Sequence, residues 1–432
     1  MLAIGIMDKF YKYELKICFY FPYHEVSGVP VLFFRMANEL AVLNKLIQIF
    51  VIDYYNGAIA RNLIANRNVT LLPFNDGITI SPPEDAILVM QSILPYSMRP
   101  ELKILPDTKL VFWNLHPDCL IPSIIPLPYL RSLQNKNFKL YCLLAKILYP
   151  SLISNLREFT EQAVAKKALW FMDQSNLDKT LKYLFAKVPD VDFVPVPALE
   201  SKLIKSNVFQ GKEALNFTWI GRLCDFKSHI LMYTINKLSL IAFEKKVKLH
   251  YSIIGDGPFR KKISALDLNN EWFTFEMIGS LKPDAMDNYL LKNTDVLTGM
   301  GTSALEGAKL GIPTILLDIS YYPVRGDYKF RWLHESQNFD LAHDITQDDL
   351  EEGNQVLNQM LDDLINNYRA LSVKALNYFL QNHEMKTVLE KFIFKIQQSE
   401  MKFSDINPVL LNKSLVRKIY DLSRGLKRTL LK

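Results

Sequence analysis

Short apolar runs that alternate with helix-forming stretches constrain the fold of this chain more than any other feature. The first run, Leu15–Phe21, leads through the turn His24–Pro30 into a helix pattern over Val31–Leu43, and a second run follows at Ile47–Ile52. Further short apolar runs recur at Ala86–Met90, Lys109–Trp113 and Ala168–Met172. Strands of parallel sheets are buried on both faces and need crossover helices between them. The pattern therefore predicts a parallel sheet with crossover helices.

A second series of the same kind follows. Asp192–Ala198 reads as a strand that ends in prolines, which cannot donate to a sheet ladder, and the polar stretch Glu200–Glu213 reads as a linker. Predicted strands and helices then alternate in the order Asn216–Ile220, His229–Glu244, Lys248–Ile254, Phe259–Leu266, Phe273–Ile278, Pro283–Lys292, Val296–Thr298, Ser303–Leu310 and Thr314–Leu317. Two consecutive series predict two doubly wound α/β domains of the Rossmann type that face each other.

The length of 432 residues is ample for two hydrophobic cores, because single cores stop growing at roughly 250–300 residues. The predicted limits are an N-terminal domain over 1–199, a linker over 200–213 and a C-terminal domain over 214–380. A C-terminal helical segment over 381–403 and a basic amphipathic tail over 404–432 complete the chain.

The net charge of +6 is concentrated near the C-terminus. From Met401 to Lys432, eight Lys and Arg stand against two Asp, so the remaining chain is neutral. Nucleic-acid binding needs a basic face on the fold itself and is therefore not expected. The four cysteines are scattered without metal-ligand spacing, which favours reduced core thiols in a cytosolic protein: Cys18, Cys119, Cys142 and Cys224.

We expect no signal peptide and no transmembrane helix, and hence a protein that works in the cytoplasm or on the inner face of the membrane. In the tail, an apolar stripe recurs at helical spacing between basic residues, at Leu411, Leu415, Ile419, Leu422, Leu426 and Leu430. This pattern favours an interfacial anchor on anionic lipid, and the alternative is a terminal helix that packs on its own protein. The apolar, lysine-dotted stretch Ile121–Ile153 is a second docking surface or an acceptor lid.

Two cations follow the first strand of the second series. In Gly221-Arg-Leu-Cys-Asp-Phe-Lys227, Gly221 permits a sharp turn, and Arg222 and Lys227 follow at the carboxyl end of a parallel strand. Ligands bind at that edge of such sheets. Arg grips a diphosphate bidentately and Lys acts as a point charge. The alternative is a pair of solvated surface residues.

Glycine-rich turns end the next two strands. In Ile253-Ile-Gly-Asp-Gly-Pro258, the residues Gly255, Asp256 and Gly257 would let a base or phosphate approach the backbone, and the alternative is an ordinary turn. Gly279, Ser280 and Leu281 end the following strand at the same edge.

A glycine-rich segment also precedes a helix that contains Glu306. Gly299-Met-Gly-Thr-Ser303 predicts a helix capped by Thr302 or Ser303, with an anion site formed by Gly301 and the first-turn amides. Glu306 is expected in that first turn, either as a favourable carboxylate near the helix N-terminus or as the acceptor of two ribose hydroxyls.

In this order, these motifs resemble the GT-B glycosyltransferases of the type-4 family (glycosyl transferases group 1), from about Asn216 to Leu317. A weaker resemblance covers the Ser27-Gly28 loop and the Val194-Pro-Val-Pro197 crossover. The resemblance implies a GT-B fold with a central cleft. It also implies that Arg222 and Lys227 hold the donor diphosphate and assist catalysis, and that Glu306 binds ribose. The glycine-rich loops would surround the base, with Gly255, Gly257, Ser280 and Leu281.

One departure concerns the sugar. The family usually carries a second glutamate before this helix, and the position eight residues before Glu306 is Thr298. Backbone contacts from Gly299–Thr302 are the expected substitute. A metal-binding motif such as DxD is missing from the strand ends, so neither a metal nor another cofactor is expected.

The resemblance implies that the N-terminal half holds the acceptor. Ser27 and Gly28 lie at the first strand–helix turn, where the backbone could approach a phosphate or the acceptor. His116 follows a strand in Trp113-Asn-Leu-His-Pro117 and would orient the reacting hydroxyl or act as base; the alternative is a loop histidine bonded to backbone. Asp173 is a weaker candidate that more often caps the following helix.

The function implied is transfer of a hexose from a nucleoside-diphosphate sugar to a lipid-linked or polysaccharide acceptor, with retention favoured over inversion. Bacterial surface glycan synthesis (capsule, O-antigen or lipopolysaccharide) is the expected setting. The alternatives are a nucleotide-sugar epimerase on the same fold, which would need several acids and histidines converging in the cleft, and a non-catalytic scaffold protein.

Overall fold

The computed structural model describes residues 15–43, 46–65, 68–92, 98–120, 133–205, 213–351, 356–412 and 422. The chain forms two compact units. The first contains 1–196 together with 389–432, and the second contains 197–388.

The first unit is built on a seven-stranded parallel sheet in the order β3-β2-β1-β4-β5-β6-β7. Its strands are β1 (Leu15–Tyr20), β2 (Ile47–Asp53), β3 (Val69–Pro73), β4 (Ile87–Gln91), β5 (Leu110–Asn114), β6 (Leu169–Phe171) and β7 (Asp192–Phe193). Every residue of β4, β5 and β6 is buried, as expected of central parallel strands with both faces covered. The predicted parallel sheet is confirmed.

The helices of this unit before residue 197 are α1 (Gly28–Leu43), α2 (Phe138–Leu148), α3 (Pro150–Ala165) and α4 (Gln174–Leu184). The strand predicted over Asp192–Ala198 is shorter than expected and ends at Phe193. Pro195 and Pro197 have no amide hydrogen to donate, so the ladder stops there.

The second unit has a six-stranded sheet in the order β10-β9-β8-β11-β12-β13, in which all strands but the last are parallel. The strands are β8 (Leu215–Ile220), β9 (Leu249–Ile254), β10 (Phe273–Gly279), β11 (Val296–Gly299), β12 (Thr314–Leu316) and β13 (Arg331–Trp332). The helices are α5 (Asp225–Lys245), α6 (Arg260–Ser264), α7 (Pro283–Asn293), α8 (Thr302–Ala308) and α9 (Val356–Asn382). The order reverses between β8 and β11, as in the Rossmann fold, which confirms the second predicted sheet.

A last helix, α10 (Met385–Gln398), belongs to the first unit from Leu389 onward. The ring of Phe392 lies 5.9 Å from that of Phe19, 5.7 Å from that of Trp113 and 5.5 Å from that of Trp170, between centroids. Ser399 Oγ donates to the carbonyl of Leu110 at 3.0 Å. The end of the chain therefore completes the core formed by its beginning.

Within the described ranges, no helix is long and apolar enough to cross a membrane. Within the predicted tail, residues Pro408–Leu411 form a short 3₁₀ helix. The predicted amphipathic helix of the tail, and most of its apolar stripe, lie outside the described residues.

Candidate functional site

The carboxyl ends of five parallel strands, β8 to β12, lie at one edge of the second sheet. Ile220 pairs with Gly299 in register, so the loops after β8 and β11 start side by side at the point where the strand order reverses. Crevices at such switch points are where open α/β sheets bind ligands. All donor-site residues predicted from the sequence lie in the second unit, on the loops and helices that begin at this edge.

Arg222 and Lys227 are two cations at this edge without acidic partners in the described part of the chain. Arg222 follows Gly221 directly and is exposed. Lys227 is the third residue of α5, and burial lowers the pKa of its ammonium group. Its Nζ lies 5.8 Å from the ring centroid of Phe226. A half-buried cation has lost part of its hydration, and at a helix N-terminus it also meets the positive end of the helix dipole. A bound anion would offset both effects.

The two glycines after β9 serve loop packing. Gly255 has φ +147° and Gly257 has φ +155°, and β-carbons there would overlap the carbonyl oxygens of Gly221 and Leu223. Leu223 N also donates to Asp256 O at 3.0 Å. These glycines therefore let the β9 loop lie against the loop that carries Arg222, a role in addition to the predicted close approach of a ligand.

The third loop at this edge follows β10, and the exposure of its residues varies. Gly279 has φ +83°, and its carbonyl accepts from Gly255 N at 2.9 Å. Ser280 is exposed and Leu281 is half-buried against the apolar cluster under β11. The carboxylate of Asp256 lies 3.6 Å from Arg260, an ion pair within one turn of chain.

The N-terminus of α8 differs from the prediction. Its N-cap is Gly301, with φ +62° and no side-chain cap hydrogen bond, and the helix begins at Thr302. Capping by Thr302 or Ser303 was therefore wrong. The N–H of Gly301 is not available to a ligand because it donates to Leu341 O at 2.8 Å. Thr302 is exposed and Ser303 half-buried.

Glu306 lies one turn further along than expected. It is the fifth residue of a seven-residue helix whose first turn holds no acid, so its placement in the first turn was wrong. Its Oε2 is 2.6 Å from Lys309 Nζ, which is also 2.9 Å from Asp287 Oδ1. Although burial acts to lower the pKa of Lys309, the two carboxylates raise it. Glu306 is thus held in place by its ion pair with Lys309.

Thr298, at the position of the family's second glutamate, is fully buried inside β11. Its Oγ1 hydrogen-bonds the hydroxyl of Tyr251. The side chain at this position therefore faces the core of the unit and not the edge of the sheet.

An ionic network that the sequence motifs did not indicate lies on the segment after β12. Arg331 donates to Asp318 Oδ1 at 2.8 Å and to Asp340 Oδ2 at 3.0 Å. His343 bonds Asp340 through Nδ1 at 2.8 Å and Asp349 through Nε2 at 3.0 Å. Burial acts to lower the pKa of His343, but these hydrogen bonds raise it to about 10. Only the placement of Asp318 directly after a predicted strand could have signalled it.

Three of these residues, Asp318, Asp340 and His343, offer atoms within 4.8 Å of one another that could hold a metal ion. The donor set fits a metal poorly, since both ring nitrogens of His343 face carboxylates and Arg331 shares both acids. The network instead ties the loop after β12 to residues 340–349, whose Leu341 carbonyl anchors Gly301.

The candidates of the first unit lie at the carboxyl edge of its sheet. Ser27 and Gly28 are exposed at the start of α1, and nothing lies within 4 Å of a β-carbon at Gly28. His116 follows β5 and is exposed, and its Nδ1 accepts from the amide of Asp118 at 3.1 Å. Asp173 is the N-cap of α4 and accepts from Asn176 N at 2.8 Å, which confirms the capping interpretation.

A further acid, which sequence reasoning missed, organises this edge. Asp53 ends β2 and is fully buried, and its carboxylate accepts amide hydrogens from Tyr23 and Tyr54 at 2.9 Å. It also accepts from Ile59 and Ala60 at 2.9 and 3.1 Å. The loops after β1 and β2 are therefore held together by one side chain.

No protein-family model matches the chain, and no curated protein matches it in sequence. Among solved structures, a glycosyltransferase from Rickettsia africae ESF-5 is similar with a TM-score of 0.54 and 12% identity, over 90% of this chain and 100% of that one. HepE from Anabaena, solved with UDP and glucose, is similar over 89% of this chain and 99% of that one, with a TM-score of 0.46 and 12% identity. WaaG, a glycosyltransferase involved in lipopolysaccharide biosynthesis, is similar over 88% of this chain and 99% of that one, with a TM-score of 0.46 and 13% identity.

These similarities concern the fold. The protein has the GT-B fold of the group 1 glycosyltransferases, with two Rossmann-like units, as the motifs of the second half predicted.

Proposed function

We propose that this protein is a retaining hexosyltransferase that moves a sugar from a nucleoside-diphosphate donor to a lipid-linked or polysaccharide acceptor. The observation that carries the proposal is the pair Arg222 and Lys227, two cations at the switch point of the second sheet with no acidic partner in the described ranges. The GT-B fold and the order of the motifs support it.

The donor diphosphate would lie against Arg222 and Lys227. Negative charge builds on this group as the bond to the sugar breaks, and two cations placed beside it would stabilise that charge. Because the protein supplies this positive charge, the proposal requires no metal or other cofactor.

The nucleoside would lie along the neighbouring loops. The Glu306 carboxylate, positioned by its ion pair with Lys309, would accept hydrogen bonds from the ribose hydroxyls. Gly279, Ser280 and Leu281 would line the base pocket, and the exposed Thr302 would contact the sugar or phosphate. Asp256 and the two glycines beside it would fix the position of the Arg222 loop.

The acceptor would bind at the carboxyl edge of the first sheet. Ser27 and Gly28 offer an open backbone there, and His116 would orient or deprotonate the acceptor hydroxyl. We propose a cytoplasmic enzyme on the inner face of the membrane that acts in bacterial surface glycan synthesis, with the 404–432 tail on anionic lipid. The epimerase alternative is not favoured, because the acids and histidine that meet in the second unit are engaged with Arg331.

Calorimetry with UDP, GDP and ADP tests the diphosphate site. The double variant R222A/K227A should weaken diphosphate binding by about 100-fold or more, since each charged hydrogen bond contributes about 1.5–3 kcal/mol. K248A/R369A removes the same charge from exposed positions of the same unit and should bind as the wild type does.

Normal binding and turnover by R222A/K227A would refute the site. A second assay follows hydrolysis of UDP-, GDP- and ADP-sugars with a membrane extract as the source of acceptor. Diphosphate binding without any turnover in this assay would favour the scaffold alternative.

A further inference from the structure

Helix α2 (Phe138–Leu148) turns apolar side chains toward solvent. Tyr141, Cys142 and Ala145 form its buried face within the core of the first unit. On the opposite face, Leu143 is 49% exposed and Ile147 is 63% exposed. Leu140 and Leu148 are exposed as well. A helix that is apolar on both faces normally lies inside a protein or a membrane, so the outward face of α2 needs an occupant.

The charged side chains that the helix itself presents are all basic. From Cys119 to Arg157 the sequence contains no Asp or Glu. Lys139 and Lys146 are exposed on one flank of the apolar face, and Lys136 is exposed just before the helix. Lys146 Nζ also lies 4.5 Å from the ring centroid of Phe185, a half-exposed side chain that extends the apolar surface.

The helix is built to hold this face outward. The side chain of Asn137 caps its N-terminus and accepts from Leu140 N at 3.0 Å. Tyr141 stacks on Tyr183 of α4 with centroids 5.9 Å apart. The buried contacts therefore fix the rotation of the helix, and the exposed leucines cannot turn inward.

We infer that the outward face of α2 docks on an anionic lipid surface, with its aliphatic side chains in the interface and its lysines among the headgroups. Amphipathic helices with aliphatic residues beside lysines bind membranes in this way. A protein partner would more commonly meet a surface with aromatic residues and few lysines. This surface belongs to the first unit, whereas the donor site belongs to the second, and the inference goes beyond the proposed transfer activity.

Flotation of the full-length protein with vesicles tests the inference. The vesicles contain phosphatidylcholine alone, or phosphatidylcholine with about 30% phosphatidylglycerol. The second composition has an anionic content of the order that recruits basic helices. Wild type should float with the anionic vesicles. L143E/I147E should reduce this binding by about tenfold or more, because it replaces two inserted side chains by charges. K139Q/K146Q should reduce it by about fivefold for each lysine removed.

The matched control is L240E/V373E, which places two charges at exposed aliphatic positions on helices of the second unit. It should float as the wild type does, and all variants should keep the wild-type thermal midpoint. Unchanged flotation of L143E/I147E would overturn the inference. The inference would also be overturned if the wild-type protein did not bind the vesicles but sedimented as a dimer, and if L143E/I147E dissociated that dimer. No donor or acceptor enters this assay, so its failure leaves the transfer proposal standing.

Discussion

Gly255 lies so close to Gly221 that a β-carbon on Gly255 would overlap the carbonyl oxygen of Gly221. G255A should therefore displace the loop that carries Arg222, and its φ of +147° adds backbone strain of about 1–3 kcal/mol. We expect diphosphate binding to fall about tenfold or more, measured by calorimetry. G77A, at a positive-φ glycine of the first unit with open space around it, introduces similar backbone strain and should bind diphosphate normally.

Glu306 should distinguish a nucleoside from a bare diphosphate. E306Q keeps the shape of the side chain but removes its negative charge. That charge strengthens the proposed hydrogen bonds from the ribose hydroxyls and forms the ion pair with Lys309. Binding of the preferred nucleoside diphosphate should weaken by about tenfold, as for the loss of a charged hydrogen bond. Binding of inorganic pyrophosphate should stay within about twofold, within the effect of an exposed charge. Equal losses for both ligands would contradict the ribose role.

Stability of the second unit should depend on pH through His343. The pKa of this side chain is about 10 in the folded chain against an ordinary value of 6.5. The folded state binds the proton more tightly, so the stabilisation is fully present below pH 6.5 and is lost as the pH rises through 10. Urea midpoints of the wild type should fall across this window relative to those of H343Q. Parallel curves for the two proteins would exclude this role.

The first unit should depend on a residue near the end of the chain. Phe392 is fully buried among Phe19, Trp113 and Trp170, and F392A should cost about 3–5 kcal/mol of unfolding free energy. Phe394, two residues along the same helix, is 42% exposed, and F394A should cost about 1 kcal/mol or less. Chemical denaturation with the tryptophan fluorescence of the first unit gives both values, and similar costs would contradict the packing.

Sugar transfer should not require a metal ion. Because Arg222 and Lys227 supply the positive charge for the diphosphate, dialysis against EDTA should leave donor binding and turnover within about twofold of the untreated protein, whereas loss of an essential cation would remove activity altogether. Restoration of lost activity by added magnesium or manganese would contradict this prediction.

The alternation of apolar runs and helix patterns was sufficient to predict both sheets, because buried parallel strands need apolar residues on both faces and helices between them. The same pattern placed Arg222 at a strand end, but it did not indicate that Gly255 and Gly257 let two loops pack against each other. It missed β3 and the antiparallel β13, since Val69–Pro73 alternates only weakly and Arg331–Trp332 is two residues long. The N-cap of α8 and the turn that holds Glu306 were misplaced because helix boundaries depend on local backbone geometry.

The sequence by itself determined the two βα series, the motifs at the strand ends and the absence of acidic residues between Cys119 and Arg157. Tertiary structure alone decided which residues Lys309, Asp318 and His343 pair with, that Thr298 faces the core, and that Phe392 returns to the first unit. The difference has a physical reason. Periodicity and turn chemistry act between residues close in the chain, whereas ion pairs and core contacts join residues far apart, whose meeting is set by strand order and packing.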